Sequence, residues 1–487
     1  MRSIGVCGVS HSFRRWLSLG LVVSLSLGAV ACSQEPPVAS PNVLLITLDT
    51  LRSDWIHAYG FQSENTPVID GLADRGVLFE NAIAAASLTA PSHGSIMTGR
   101  YAREHSIGTL NGESRLEGVE TLADFFRQAG YETGAFVSNV VLRRRIGLDR
   151  GFDVYDDELG KSEENRPAYF ERPAEQTAKR AIDWLTKRSG EKPFFMWLHL
   201  QDPHGPYTPP SDYEGKVGPV PLRMKSDLSV LNRNTGQAGI PAYQALPGVA
   251  DPAHYAGRYA EEIMYADYWL GEVIKTFESR GVTREAVIVL TADHGESLGE
   301  QGYFFQHGQS VRPELARVPL IVVAPKVAPR KASDLVSHVD IVPTLIDLAD
   351  LSVDPETSGI SLRSSFTSDR TLDSRVVFSD TEGESGLYGQ NRLTRVLGSA
   401  LSSRAVQPGG SIQSESLEET ESGAWRPVQI DTSAVEQISN YLDRAVELVP
   451  VGAMAEEHIE QLRALGYLDP EVGPDESNSK TPAQGTP

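Results

Sequence analysis

Cysteine is nearly absent. The 487 residues hold two, Cys7 and Cys32, both close to the N-terminus. The remainder therefore has no disulfide, no thiol nucleophile and no cysteine metal site. Basic charge is also short: 44 Lys and Arg stand against 65 Asp and Glu, a net charge of −21 at pH 7. Such a surface lacks the basic footprint that neutralises phosphates, which excludes nucleic acid as a partner. An acidic protein that handles an anionic substrate needs a local positive device, and a metal ion is the obvious one.

Long hydrophobic runs are lacking too. The longest, Trp16 to Ala31, is short for a membrane span. Arg2, Arg14 and Arg15 precede it, and it ends at Ala29-Val30-Ala31-Cys32. A charged start, an apolar middle and a small-residue cleavage site predict a secretory signal over 1–31. Cys32, directly after that site, resembles the lipidated cysteine of a bacterial lipobox, although Ala29 stands where a lipobox usually has Leu. The reading is an exported lipoprotein, periplasmic or outer-membrane-associated. A tether over 32–41 follows, and the lipid is the only membrane contact.

What is present is an ordinary globular composition with a clear alternation. Val43-Leu44-Leu45-Ile46-Thr47-Leu48 is a continuous apolar run, as expected of a strand buried on both faces. Similar runs recur at 135–137, 193–200, 286–290 and 319–323. Helix-like segments lie between them, at 67–75, 91–97, 120–129, 173–187, 258–279 and 340–351. The alternation predicts an α/β fold with a mixed, largely parallel central sheet flanked by helices. Its catalytic domain spans 42–374, with a Pro- and Gly-rich surface insertion at 217–252 near the site mouth. A smaller C-terminal subdomain follows at 375–468, with a loop or hairpin at 408–423 and two helices. A polar tail, read as disordered, occupies 469–487.

In such sheets ligands bind beyond the carboxyl ends of the strands, so the residues just after each apolar run carry the chemistry. Asp49 closes the first strand, and Asp293-His294-Gly295-Glu296 closes the run 286–290. Two carboxylates and an imidazole suit a divalent metal. Thr89 precedes Pro91, a residue suited to a first helical turn, so its hydroxyl sits where amides and the helix dipole favour an anion. Ligated to the metal, that hydroxyl becomes a nucleophile. His204 follows the 193–200 run in Asp202-Pro203-His204-Gly205, placed to donate a proton or hydrogen bond to a leaving group. His307 is a similar candidate. Each has a plainer reading: Asp49 as a strand-end residue, Asp-His-Gly-Glu as a turn, Thr89 as a helix cap, and the two histidines as solvated loop residues.

Taken together, the motifs resemble the sulfatase family of the alkaline phosphatase superfamily. They are Leu-Asp-Thr-Leu-Arg (48–52), Thr-Ala-Pro-Ser-His (89–93) with Thr-Gly-Arg (98–100), Asp-Pro-His-Gly-Pro-Tyr (202–207), Asp-His-Gly-Glu (293–296) and Arg-Val-Pro-Leu-Ile-Val (317–322). Ser-His-Val-Asp-Ile-Val-Pro-Thr-Leu (337–345) and Leu-Arg-Ala-Leu-Gly-Tyr-Leu (462–468) fit as well. The resemblance implies one divalent ion, with Ca, Mn and Zn not distinguished, held by Asp49, Asp293 and His294 and bridged to Thr89. His204 and His307 would face the substrate. Asp202 and His307 are the spare ligands for a second metal.

The sequence also departs from a working sulfatase. The family pattern puts a cysteine or serine, matured to formylglycine, where Thr89 stands, and an arginine where His93 stands. Its sulfate-gripping Gly-Lys-x-His is replaced by Gly134-Ala135-Phe136-Val137-Ser138-Asn139. His93 and Asn139 are then the candidate substrate contacts. A metal-bound threonine resembles the phosphodiesterase and phosphoglycerol-transferase members. The sequence-based expectation is therefore a Thr89-dependent hydrolase of phosphate mono- or diesters, or a phosphotransferase, acting on a small-molecule, glycan- or lipid-linked anionic ester. A sulfuric ester hydrolase and a non-catalytic lipoprotein with this fold are the alternatives.

Overall fold

The computed structural model describes residues 40–468, apart from 109–112, 160–171, 223–226, 280–285, 368–371, 373, 399–412, 422, 453 and 455. The expected signal peptide, most of the tether with Cys32, and the tail from 469 lie outside the described residues.

The centre is an eight-stranded sheet. Its order is 330–337, 77–83, 317–323, 286–292, 42–48, 194–200, 132–136, 154–156. The strand Asn42–Leu48 is buried from Val43 onward because it lies between two parallel partners, Phe194–Leu200 and Ala286–Ala292. That double-sided burial is why the run is apolar on both faces. The strand Arg317–Val323 is antiparallel to both of its neighbours, which makes the sheet mixed; the other pairings are parallel. Helices flank the sheet as expected.

Three of the eight strands are absent from the sequence expectation. Val77–Ile83 is interrupted by Glu80 and Asn81, and the edge strand Arg330–Ser337 begins with polar residues that are only partly covered. Val154–Asp156, at the opposite edge, is three residues long and buries only its tyrosine. None of the three shows an unbroken apolar run, because none is covered along its whole length on both faces.

A second sheet has five antiparallel strands, 377–380, 384–389, 392–397, 413–419 and 425–428. The helix Thr432–Leu442 packs on it through Ile438 and Tyr441, both buried. Part of the stretch expected as a loop or hairpin at 408–423 is the strand Gln413–Glu419, whose only large apolar residue is Leu417. Asp380 ties this sheet to the main body: it takes Arg103 Nε at 3.1 Å and is also bonded by Ser385 and Tyr441. No helix among the described residues is long and apolar enough to cross a membrane.

Candidate functional site

The parallel register brings the strand ends together. Leu48 pairs with Leu200 on one side and with Ala292 on the other, so the residues that follow, Asp49 and Asp293, emerge side by side. Thr50 adopts the left-handed conformation (φ 56°), unusual for a residue with a branched side chain. It thereby aims its N–H at Asp293 Oδ1, 3.0 Å away, and the His294 N–H reaches the same oxygen at 2.8 Å. Asn139 Nδ2 donates to Asp49 Oδ2 at 2.6 Å. Each carboxylate thus has one oxygen tied down, while Asp49 Oδ1 and Asp293 Oδ2 are buried without a hydrogen-bond partner.

Those orphaned oxygens fit a cation. Burial raises the pKa of both carboxyls, and for Asp293 the neighbouring Asp49 charge raises it further. His294 Nδ1 donates to Gly295 O at 2.9 Å, which leaves the Nε2 lone pair free as a ligand. The ligand atoms of Asp49, Asp293 and His294 lie within 4.8 Å of one another. These residues form a buried site suited to a single divalent metal ion.

Thr89 opens the helix Thr89–Thr98, all of whose residues are buried. Leu88, not Thr89, is the N-cap, and no side chain caps the helix. The hydroxyl instead meets His294 Nε2 and the Tyr467 hydroxyl, each at 3.2 Å. The helix-cap reading of Thr89 is therefore excluded. Pro91 sits in the first turn, where its missing N–H leaves no bond unmade.

His93 lies behind Thr89 rather than in front of it. Its Nδ1 donates to Thr89 O at 2.8 Å and its Nε2 meets Thr47 Oγ1 at 3.1 Å, so both ring nitrogens are engaged within the protein. Burial pushes its pKa down to about 3. Asn139, the other expected substrate contact, holds Asp49 and Tyr467. His199 escapes a sequence reading because it lies inside the apolar run Phe-Phe-Met-Trp-Leu-His-Leu and reads as core. Its Nε2 lies 3.5 Å from Asp49 Oδ2, and with His93 and Asp293 it forms a second grouping of possible ligands.

The outer layer holds His204 and His307, with ring centroids 5.0 Å apart. His204 Nδ1 donates to Gly205 O at 2.6 Å, and its Nε2 has no partner. Burial lowers its pKa to about 4, which favours the neutral ring with its lone pair on Nε2. His307 lies against His294, with ring centroids 4.5 Å apart, and burial followed by the His294 charge pushes its pKa well down. Asp202, offered as a spare metal ligand, turns away and takes the Ala174 N–H at 2.8 Å.

Tyr467 is not singled out by the sequence. Its motif is visible there, but nothing in it shows that a tyrosine so far along the chain reaches Thr89. Gly466, with φ 83°, makes the turn, and a Cβ there would lie 2.7 Å from the Tyr243 ring. The 217–252 stretch holds this segment: Asn234 Nδ2 donates to Leu468 O at 2.8 Å. Gln244, in the same stretch, accepts from the Tyr207 N–H.

The Sulfatase family model matches residues 41–351. The chain belongs to the sulfatase family. An N-acetylglucosamine-6-O-sulfatase of Bacteroides thetaiotaomicron is 26% identical over 421 residues, spanning 70% of this chain and 74% of the relative. An arylsulfatase of Clostridium perfringens is 27% identical and spans 66% and 78%. The solved structure of BT4656 in complex with D-glucosamine-2-N,6-O-disulfate matches with a TM-score of 0.62 at 18% identity, over 83% of this chain and 98% of that one. At that identity the structural match shows the fold. This sulfatase-family chain is a hydrolase of ester bonds with a candidate metal site.

The phosphoester expectation is overturned. It rested on Thr89 alone, whereas the family match and the sulfatase relatives span most of the chain. The physical reason is that sulfuryl and phosphoryl groups share a tetrahedral shape and equatorial anionic oxygens, so one hydroxyl discriminates poorly between them. What is shown of the resemblance is the sulfatase family itself, not a Thr-nucleophile subtype within it. Convergence of Asp49, Thr89, Asp293 and His294 also removes the ground for a non-catalytic scaffold.

Proposed function

We propose that this protein hydrolyses sulfate esters on an anionic glycan, with Thr89 as the reacting group. The observation that carries the reading is the Thr89 hydroxyl 3.2 Å from His294 Nε2, beside two carboxylates with free oxygens, in a sulfatase-family chain. The glycan substrate class is supported by the N-acetylglucosamine-6-O-sulfatase relative. A divalent cation held by Asp49, Asp293 and His294 would lower the pKa of the Thr89 hydroxyl and offset charge on the ester oxygens.

The chain's own groups supply the remaining steps. Thr89 Oγ1 attacks sulfur, the sulfur–alkoxide bond breaks, and a Thr89 sulfate ester forms. The proton released by the hydroxyl passes to the departing alcohol, and His204 Nε2, buried and without a partner, is the group proposed to deliver it there. Water then attacks sulfur, Oγ1 leaves with a proton from that water, and hydrogen sulfate is released.

Purified protein should be assayed with paired aryl sulfate and aryl phosphate esters in Ca²⁺, Mn²⁺ or Zn²⁺. Sulfate turnover that exceeds phosphate turnover, and that Thr89→Ala abolishes, is the expected result. Dominant phosphate turnover, or sulfate turnover unchanged in Thr89→Ala, would overturn it. We also propose export and lipidation at Cys32, tested by loss of membrane retention in Cys32→Ala.

A further inference from the structure

Thr89, Asp49, Asp293 and His294 have no solvent exposure, and Tyr467 is part of what covers them. Its hydroxyl lies 3.2 Å from Thr89 Oγ1 and accepts from Asn139 Nδ2 at 2.8 Å. Its ring stacks on His204, with centroids 5.6 Å apart and planes 26° from parallel. A reacting sulfur must come within about 3–3.5 Å of Thr89 Oγ1. The Tyr467 hydroxyl stands at that same distance from Oγ1, as His294 Nε2 does.

We propose that Tyr467 is a built-in gate, a phenol seated in the place of the substrate that the incoming ester must displace. The inference rests on Thr89 as the reacting group. The gate belongs to a short segment: the helix Glu456–Ala464 spans nine residues, and the turn at Gly466 follows it. Beyond the buried Leu462 and Leu465, Asn234 and Tyr243 of the 217–252 stretch hold it in place. When Tyr467 leaves, one face of His204 is uncovered, and a flat or ring-bearing leaving group takes over that stacking. The apparent affinity for substrate equals the intrinsic affinity scaled by the open fraction.

The test uses the full metal-loaded chain with Tyr467→Ala, Tyr467→Phe and Gly466→Ala. Gly466→Ala keeps the phenol but disturbs the turn that places it. Circular dichroism establishes that each variant is folded. Calorimetry with inorganic sulfate and kinetics with an aryl sulfate are read in parallel. Tyr467→Ala and Gly466→Ala should bind sulfate tighter by on the order of tenfold and lower KM by a similar factor. Tyr467→Phe, which keeps the ring, should lie between them and the unmodified chain. A fall in kcat at unchanged KM in Tyr467→Ala would overturn the gate and make the phenol a participant in the chemistry. Unchanged sulfate affinity in all three would overturn it as well. Tighter sulfate binding without turnover of any sulfate ester would uphold the gate and reject the proposed reaction.

Discussion

Thr89 and Tyr467 stand 378 positions apart in the chain, yet their hydroxyl oxygens lie 3.2 Å from each other. One hydroxyl comes from the first turn of a buried helix, the other from a turn near the end of the described chain. Thr89 opens a helix whose residues are all buried, and Tyr467, itself in the main core with Leu462 and Leu465, reaches it from the turn at Gly466.

Removing the Thr89 hydroxyl should lower kcat for an aryl sulfate by about a thousand-fold or more. Thr89→Ala supports this if its thermal midpoint stays close to that of the unmodified chain. A loss of less than about tenfold would mean that another group attacks sulfur.

Adding a divalent ion should raise stability, by about 2.7 kcal/mol at roughly one hundred times its Kd. Asp293→Asn removes one of two buried like charges, so the ion-free variant should be at least as stable as the unmodified chain while the ion-induced rise disappears. Differential scanning calorimetry with and without chelator checks both parts. A full ion-induced rise in Asp293→Asn would remove Asp293 from the ligand set.

Asp267 gives a pH dependence away from the site. It accepts the Val68 and Ile69 N–H groups at 3.0 and 2.9 Å, and burial pushes its carboxyl up to about 7 from 3.8. A raised folded pKa means tighter proton binding in the native state. The resulting stability is fully present below 3.8 and is lost as pH rises through about 7. The stability of the unmodified chain relative to Asp267→Asn should therefore fall between these two values. A difference that stays constant across that window would show that Asp267 does not couple to folding.

Asp380→Ala takes the carboxylate away from Arg103, which is 1% exposed. Breaking a buried pair in this way costs about 3–5 kcal/mol. Urea denaturation should show the loss, and a change below about 1 kcal/mol would mean that Arg103 finds compensation elsewhere.

Much of the fold was legible because the central strands are buried on both faces. Val43 to Leu48 and Ala286 to Leu290 announce themselves as unbroken apolar runs, and their ends give Asp49, Asp293 and His294 directly. The strand Arg330–Ser337 was illegible because it lies at an edge and carries polar residues. His199 was hidden by its apolar neighbours, and Tyr467 by distance along the chain. The motif gives the spacing of His93 from Thr89 but not the partners of its ring, which are Thr89 O and Thr47 Oγ1. The phosphoester reading failed for a different reason: it asked one residue to decide between two chemically similar anions.

The pairing of Asn42–Leu48 with partners that begin only at Phe194 and Ala286 has a consequence for biosynthesis. While the chain is being made, Asp49 emerges long before Asp293, and the nascent strand has neither of its flanking partners. A cation cannot be captured by all three ligands until synthesis has passed His294, so metal acquisition is tied to late folding. Premature termination before that point would leave a fragment unable to assemble the centre at all.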